Sequence, residues 1–506
     1  MLKKLGIVLL IILCMLPVSA ATIKAESNII ENDETGIPDK KLYKQILHKL
    51  KKKKGEKFTK KEAESIDTLY LWFENYDVSF RGIGCLKNLK KLDCFGMDTG
   101  DLEEIAAELP HLKKLYINRF NVSDIENRKT VDSLESLRSM KDLVYLDVSY
   151  NNLSSLNGIG GMKRLKTLKA ASNQIVNAEE ASGLKNLTRL EISNNQLTNL
   201  TGINRLEKVK YLDVSNNNLT SMKGIGKLKK LEKLNLSGNC LSKVNGIKKL
   251  NNLKELYLND NKLTKVGEIG QVKNLTVLFL DRNQLTETKG IGKLKRLEIL
   301  HLSSNRLTKL GDIKQLKSLK NLILSRNRFK KLSDSDLNCL KKLNYLNMNE
   351  NELKKLPSKK CLKRIEYLFF SWNYLTKKEI KNKLKKEQWE GDSLCRWMWE
   401  EQKTGINITY LSPGQKSGIT KDTTEIVAKI TPEKIKGYPP FFYLLLPDGK
   451  TIGLEGEKFT APKADEQGVF RIEGLDLKAY AGEEIGLVAL LDYEWDIIMD
   501  WFTVQE

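Results

Sequence analysis

The sequence predicts an α/β solenoid, short parallel strands stacked into a horseshoe, followed by a separate β-sandwich. Three observations predict it. An asparagine recurs every 22 residues at Asn151, Asn173, Asn195, Asn217, Asn239, Asn261, Asn283, Asn305 and Asn327, and again, after a two-residue insertion, at Asn351 and Asn373. Apolar residues stand five and three positions before each asparagine and two positions after it, as in Leu212, Val214 and Leu219. Finally, Phe441–Glu506 holds five basic against fourteen acidic residues, a net −9, while the whole 506-residue chain is +22, from 86 Lys and Arg against 64 Asp and Glu. A body near +31 followed by an acidic end argues for two different modules.

The elements follow in chain order. Lys3 and Lys4, the apolar run Leu5–Leu16 and the small residues Val18-Ser19-Ala20 have the pattern of a secretory signal cleaved after Ala20. The run is shorter than the ~20 apolar residues that span a bilayer. A lipid anchor at Cys14 would need a small residue before it, where Leu13 stands. Residues 1–20 are thus expected to be a signal peptide and 21–36 a flexible segment. No later stretch is long and apolar enough to cross a membrane, so the protein is expected outside the cytoplasm.

Residues 37–65 read as a helical cap. Asp39 stands at the N-cap of a helix that gathers Leu42, Tyr43, Ile46, Leu47 and Leu50 on one face. Thr59 with Glu62 has the spacing of a capping box for a second, short helix. Such a cap is required, because an open solenoid exposes its core at both ends.

Residues 66–376 carry about fourteen repeats. Eleven copies match L-x-x-L-x-L-x-x-N-x-L, the leucine-rich-repeat pattern, and each part has a physical task. The L-x-L segment is a strand whose two apolar residues point inward at period two. The asparagine turns the chain inward, where its amide both donates to and accepts from backbone groups. One repeat cannot bury its apolar face alone, so stacking builds the core. Three weaker copies come first, at Leu69-x-Leu71, Leu92-x-Cys94 and Leu115-x-Ile117, with Glu74, Met97 and Phe120 in place of asparagine. A longer loop near Asp124–Leu137 follows them. Fourteen strands at ~4.8 Å spacing give a sheet on the order of 60 Å long.

Residues 377–404 are expected to form the C-terminal cap. The stretch from Leu375 to Gln402 reads as helical, and Trp389, Trp397 and Trp399 read as cover for the last repeat, with a binding role as the alternative. Residues 405–506 switch to short runs: Ile406–Leu411, Glu425–Ile430, Phe441–Leu446, Gly468–Ile472, Ile485–Leu491 and Trp495–Phe502. Pro447-Asp448-Gly449 and Ser412-Pro413-Gly414 separate them, the pattern of a small β-sandwich. A solvated spacer is the default reading of its acidic surface, against an adhesion face.

On these motifs the chain resembles the internalin-type bacterial leucine-rich-repeat proteins. The likeness rests on copies such as Leu187-Thr188-Arg189-Leu190-Glu191-Ile192-Ser193-Asn194-Asn195-Gln196-Leu197, on the cap stretch Ile37-Pro38-Asp39-Lys40-Lys41-Leu42, and on the arrangement of the last module. It implies an Ig-like fold for that module and a concave face that grips a host or partner protein. The sequence departs from the family in having no C-terminal sorting motif and apolar tail. Release or non-covalent retention is therefore expected rather than covalent wall attachment.

Side chains between and before the two inward residues of each strand face out from the concave sheet. Between them stand Tyr70, Asp93, Tyr116, Asp147, Lys169, Glu191, Asp213, Asn235, Tyr257, Phe279, His301, Ile323, Asn347 and Phe369. The middle is polar and mainly acidic, and the later repeats turn aromatic and apolar. The preceding column adds Val277, Ile299, Tyr345 and Tyr367, and Trp372 joins from the last repeat. Arg282 and Arg326 rim this patch, which is the candidate protein-binding site. Cover by the last module or cap, or a register off by one, are the alternatives. Tyr70, Trp72, Phe73, Phe95 and Tyr116 form a smaller cluster that cap packing explains equally well.

The lysines of the returning loops, as in Lys227-Leu228-Lys229-Lys230, make a basic flank. It reads as a solubilising face, with an anionic wall polymer or glycan as the alternative partner. Nucleic acid is not expected. Six cysteines follow the signal: Cys85, Cys94, Cys240, Cys339, Cys361 and Cys395. Cys339 and Cys361, at equivalent positions of adjacent repeats, are the one candidate disulfide, with free thiols the simpler default.

No cofactor is expected, and zinc is disfavoured because no C-x-x-C pair occurs. Only His48, His111 and His301 supply imidazoles, and no nucleophile or P-loop motif is present, so no enzyme is expected. Carboxylate chemistry of the glycosidase kind, with Asp147, Glu191 and Asp213 as candidates, is the remaining enzymatic alternative.

Overall fold

A computed structural model of the chain describes residues 28–71, 78–94, 98–117 and 130–384, and after them 407–410, 422, 425–431, 441–445, 451–452, 454–455, 458–459, 469–473, 475, 477–481, 484–491 and 495–503. The chain divides into two compact units, Met1–Met348 with Arg364–Leu368, and Asn349–Lys363 with Phe369–Glu506. No helix among the described residues is long and apolar enough to cross a membrane.

The first unit begins with a short antiparallel pair, β1 (Ile29–Ile30) and β2 (Phe58–Thr59), around helix α1 (Lys40–Lys49). Asp39 starts α1 by accepting from the N–H groups of Lys41 and Leu42 at 2.8 Å each. Leu42, Tyr43, Ile46 and Leu47 are its buried face, while Leu50 serves as the C-cap. Helix α2 (Lys60–Glu64) opens on a capping box. The Glu62 N–H donates to Thr59 Oγ1 at 3.2 Å, and the Thr59 N–H donates to Glu62 Oε2 at 2.7 Å.

Glu62 also pairs with Lys52 at 2.8 Å. The Lys52 hydrogen bond, then the Thr59 N–H, hold its carboxyl down to about 2 from an ordinary 4.5. A depressed carboxylate contributes stability above its unfolded pKa that disappears as pH falls through its folded one. The gap in urea midpoint between the parent and Glu62→Gln is therefore expected to close between pH about 4.5 and about 2. A gap constant with pH would refute this account.

Fourteen strands then form one parallel sheet in chain order. The first seven are β3 (Thr68–Leu71), β4 (Lys91–Cys94), β5 (Lys114–Tyr116), β6 (Tyr145–Asp147), β7 (Thr167–Lys169), β8 (Arg189–Glu191) and β9 (Tyr211–Asp213). The others are β10 (Lys233–Asn235), β11 (Glu255–Tyr257), β12 (Val277–Phe279), β13 (Ile299–His301), β14 (Asn321–Ile323), β15 (Tyr345–Asn347) and β16 (Tyr367–Phe369). Register holds leucine opposite leucine, as in Leu212, Leu234, Leu256, Leu278, Leu300 and Leu322. These and the second inward residues, such as Val214 and Leu236, are fully buried.

The asparagines explain the period. The Asn217 side-chain amide donates to the carbonyls of Ile192, Val214 and Ser215 at 3.0–3.1 Å, and its oxygen accepts from the Leu197 N–H at 2.9 Å. One side chain thus ties its own turn to the preceding repeat, and the same four bonds recur from Asn173 to Asn305. The residue before each asparagine takes a left-handed conformation, with φ from +49° at Arg282 to +62° at Gly238. Tyr150, Ser172, Asn194, Asn216, Asp260, Ser304, Arg326, Glu350 and Trp372 share it. Each such non-glycine residue costs on the order of 1 kcal/mol, which the asparagine bonds offset.

The Gly-Ile pairs of the sequence mark 3-10 turns, such as Ile203–Arg205, Ile225–Lys227, Ile247–Lys249 and Ile291–Lys293. Gly202 stands at φ +82°, where a Cβ would lie 2.1 Å from the Ala178 carbonyl oxygen, so only glycine fits. The longer repeats place an α-helix there instead: α3 (Thr99–Glu108) follows β4, and α4 (Asp334–Asn338), capped by Ser333, takes up the two-residue insertion before Asn351.

The second unit holds α5 (Lys359–Leu362) and α6 (Lys377–Lys383). Thr376 caps α6, which buries Ile380, and Leu384 ends it in extended backbone. Of the stretch from Leu375 to Gln402 expected to be helical, residues 375–384 are described, and the helix within them is α6, which ends at Lys383; Trp389, Trp397 and Trp399 lie outside the described residues. Beyond, β17 (Asn407–Tyr410), β18 (Glu425–Thr431) and β23 (Val469–Glu473) form one antiparallel sheet. A second holds β19 (Phe441–Leu445), β20 (Thr451–Ile452), β24 (Glu484–Leu491) and β25 (Trp495–Thr503), and β21 (Leu454–Glu455) pairs with β22 (Lys458–Phe459). The six runs read from the sequence each coincide with one of these strands.

Candidate protein-binding face

On one side of the parallel sheet the leucines are buried, and the residues flanking them present a half-buried surface. From β11 to β15 the strands read Glu-Leu-Tyr, Val-Leu-Phe, Ile-Leu-His, Asn-Leu-Ile and Tyr-Leu-Asn, each with only the central leucine fully buried. Register sets Tyr257, Phe279, His301 and Ile323 side by side, and Val277 beside Ile299. Leu278 and Leu280 point inward, so the outward column is as the sequence places it.

These side chains touch. Tyr257 meets Phe279 edge-on at 5.0 Å between centroids, and Phe279 stacks on His301 at 3.8 Å with 16° between planes. His301 Nδ1 lies 3.6 Å from Asp281. Tyr345 and Tyr367 stand 6.1 Å apart, and Tyr367 is 49% exposed. Arg282 is exposed and reaches Asp260 at 3.1 Å. Arg326 is exposed too, and both arginines occupy the left-handed position before an asparagine. Phe369 and Trp372 belong to the second unit, where both are half-buried and Trp372 has φ +59°.

The middle repeats differ from the acidic face read from the sequence. Cations of both columns pair with part of it, Lys91 with Asp93 and Arg189 and Lys169 with Glu191. Glu191 pairs with Arg189 and Lys169, and the Arg189 guanidinium lies 3.7 Å from the Tyr211 ring centroid. Lys233 pairs with Glu255 at 2.8 Å and lies 4.9 Å from the Tyr257 ring. Burial raises the Glu255 carboxyl, but hydrogen bonds from Lys233 and Tyr257 outweigh it and leave the group below its ordinary value. The Glu255 bond raises Lys233 in turn. Burial, then the neighbouring Asp213, push the Tyr211 phenol up. Asp213 accepts from the Ser215 N–H and hydroxyl and from Asn235, and Asp147 is buried, accepting from the Ser149 N–H.

At the N-terminal end, Lys91 Nζ sits 4.5 Å from the Tyr70 ring and 4.4 Å from the Tyr116 ring, and Tyr116 stacks on Tyr145 at 4.5 Å. Tyr70 is 59% exposed. Lys91 and Tyr145 were not singled out from the sequence; Trp72, Phe73 and Phe95 lie outside the described residues. Reading the column before the first leucine over its whole length, rather than its apolar end alone, would have found Lys91, Arg189 and Lys233.

Cys339 and Cys361 are not bridged, and neither are Cys85, Cys94 and Cys240. Cys339 is exposed with its Sγ donating to the Ser335 carbonyl at 3.3 Å, and Cys361 is buried, so the candidate bridge is not formed. Burial pushes the Cys85 thiol up to about 12. Cys395 lies outside the described residues.

Residues 163–205 and 207–315 match the leucine-rich-repeat family model, in overlapping two-repeat segments. These segments are leucine-rich repeats, and the solenoid as a whole has the leucine-rich-repeat fold. Its fold is similar to that of an internalin (inlF) from Listeria monocytogenes, with 21% identity, a TM-score of 0.59, and coverage of 66% of this chain and 96% of that one. A leucine-rich-repeat protein of Leptospira interrogans matches at 29% identity and TM-score 0.46, over 63% of this chain and 93% of that one. The functional domain of Listeria monocytogenes InlJ, which includes a cysteine ladder, matches at 15% identity and TM-score 0.46, over 89% of this chain and 93% of its own. Comparison with curated proteins returns no match.

Proposed function

We propose that this is a secreted bacterial leucine-rich-repeat protein that captures a partner protein on the outward face of its sheet, in adhesion or host contact. The observation that supports it is the in-register apolar stretch Tyr257, Val277, Phe279, Ile299, His301 and Ile323, continued by Tyr345 and Tyr367 and flanked by Arg282 and Arg326. Monomers rarely leave contiguous apolar surface in water, and aromatics and arginine lead interface hot spots. Residues 1–20 act as the signal peptide, 21–36 as a flexible lead, 37–65 and 377–404 as caps of the repeats at 66–376, and 405–506 as an Ig-like spacer. Function is binding rather than turnover, since Glu191 and Asp213 are engaged within the face.

The test is capture of the secreted chain on candidate host and bacterial cells, compared with a variant carrying Tyr257→Ser, Phe279→Ser and Tyr367→Ser. Capture is expected to disappear while the circular dichroism spectrum and melting curve are kept. Undiminished capture by the folded variant would sink the reading.

A further inference from the structure

The flank where the 3-10 turns return to the sheet carries a second feature, away from the aromatic face. Gly224, Gly226 and Gly246 leave an open groove between two neighbouring turns, lined by Lys227, Lys229, Lys248, Lys249, Asn251 and Asn252. The backbones approach so closely that a Cβ on Gly226 would lie 2.8 Å from the Gly246 carbonyl oxygen. The floor is therefore bare backbone, and the walls are lysine stems.

Apart from Lys248, the lysines lining this groove make no ion pair among the described residues. Elsewhere on the same side Glu232 bridges Lys210 and Lys254, and Glu298 holds Lys320. Within the groove Glu268 holds Lys248 at 3.0 Å and accepts from the Gly246 N–H. Among the described residues Lys227, Lys229, Lys230 and Lys249, all exposed, make no ion pair. Asn252 is spent on the Lys229 carbonyl, which fixes the turn that carries three of these lysines. Four like charges on two successive turns repel one another, and a bound polyanion would relieve that repulsion.

We propose that this groove is a binding site for a linear phosphodiester polymer. Lysine ammonium groups are compact, strongly hydrated point charges that bind phosphate oxygens without the fixed fork geometry of a guanidinium. The cations belong to successive repeats, which advance by roughly 5 Å at the sheet. A row of that kind matches a chain with one anion per monomer better than a single compact anion. Lys273, Lys293 and Lys295 continue the row on the following turns. The site would retain the protein on a polymer-bearing surface while the aromatic face stays open to a partner.

The experiment titrates the full secreted chain with poly(glycerol phosphate) over a range of salt concentrations. Lys227→Gln, Lys229→Gln, Lys230→Gln and Lys249→Gln together are expected to weaken binding at least tenfold. They should also make the slope of log K against log salt shallower by about three, one released counterion for most of the lost contacts. The parent should melt higher with polymer present, and the quadruple variant should melt no lower than the parent without it. A control that neutralises Lys40, Lys44, Lys49 and Lys54 removes the same charge elsewhere and should bind almost as the parent does. The proposal is overturned if both quadruple variants lose binding equally, if the groove variant binds unchanged, or if heparin at equal charge binds more tightly than the phosphodiester polymer. Phe279→Ser should leave polymer binding intact, so this test and that of the partner-binding face fail separately.

Discussion

Asn217→Ala is expected to cost the repeat domain about 2 to 5 kcal/mol, more than any exposed substitution of similar size. The residue is 5% exposed and makes four hydrogen bonds across two repeats. Truncation orphans the buried Leu197 N–H, at about 1–3 kcal/mol. The Ile192 and Val214 carbonyls keep a bond from Asn195 and Asn239, so each loses a partner without being stranded. Those losses add about 0.5 to 1 kcal/mol each. The adjacent Asn216 provides the contrast. It is exposed at φ +51° and reaches only the Asn194 side chain, so Asn216→Ala should cost about 1 kcal/mol of backbone strain.

Asn217→Asp sharpens the test. A carboxylate still accepts from Leu197 but faces three carbonyl oxygens, so burial and repulsion raise its pKa in the fold. A raised carboxyl pKa means that stability is lost as pH climbs from about 4 through the folded value. Asp should therefore be worse than Ala at neutral pH and recover on acidification. Urea midpoints read the effect, together with amide exchange across repeats 190–240, because a repeat array can open locally. Equal midpoints for Asn217→Ala and Asn216→Ala would refute the ladder account.

The solenoid was legible because its determinants are periodic and unambiguous in residue type. Leu, Asn and Gly-Ile each serve one geometric need, so strand count, inward residues and asparagine turns were all readable. The left-handed position before each asparagine was not, because Tyr150, Asp260, Arg282 and Trp372 have nothing in common as side chains. Tertiary bonding imposes that conformation, and the residue merely tolerates it. The candidate face was half legible. Its apolar end stands out by composition, whereas Glu191 is neutralised by Arg189 two residues earlier on its own strand and by Lys169 opposite it, and Glu255 by Lys233 opposite it, pairings that side-chain reach decides and composition does not reveal. The disposition of Cys339 was likewise unreadable, since equal spacing does not fix where a thiol points.

Phe279→Ala is expected to weaken capture of the partner at least 30-fold, about 2 kcal/mol, with no loss of fold. Phe279 is the centre of the contiguous stretch: Tyr257 abuts one side and His301 stacks on the other at 3.8 Å. Its neighbours hold the ring in one orientation before any partner arrives, so little side-chain entropy is lost on binding. The core is untouched, because the inward residues of that strand are Leu278 and Leu280. His301→Ala alone should cost less, but it frees the Phe279 ring. The two substitutions together should therefore cost less than their sum, by about 0.5 to 1.5 kcal/mol, the range of an aromatic pair. Strict additivity would mean that the stack does not preorganise the face. Glu191→Gln, in the ion-paired middle, should change capture little, and a larger loss there than at Phe279 would move the binding site to the polar repeats.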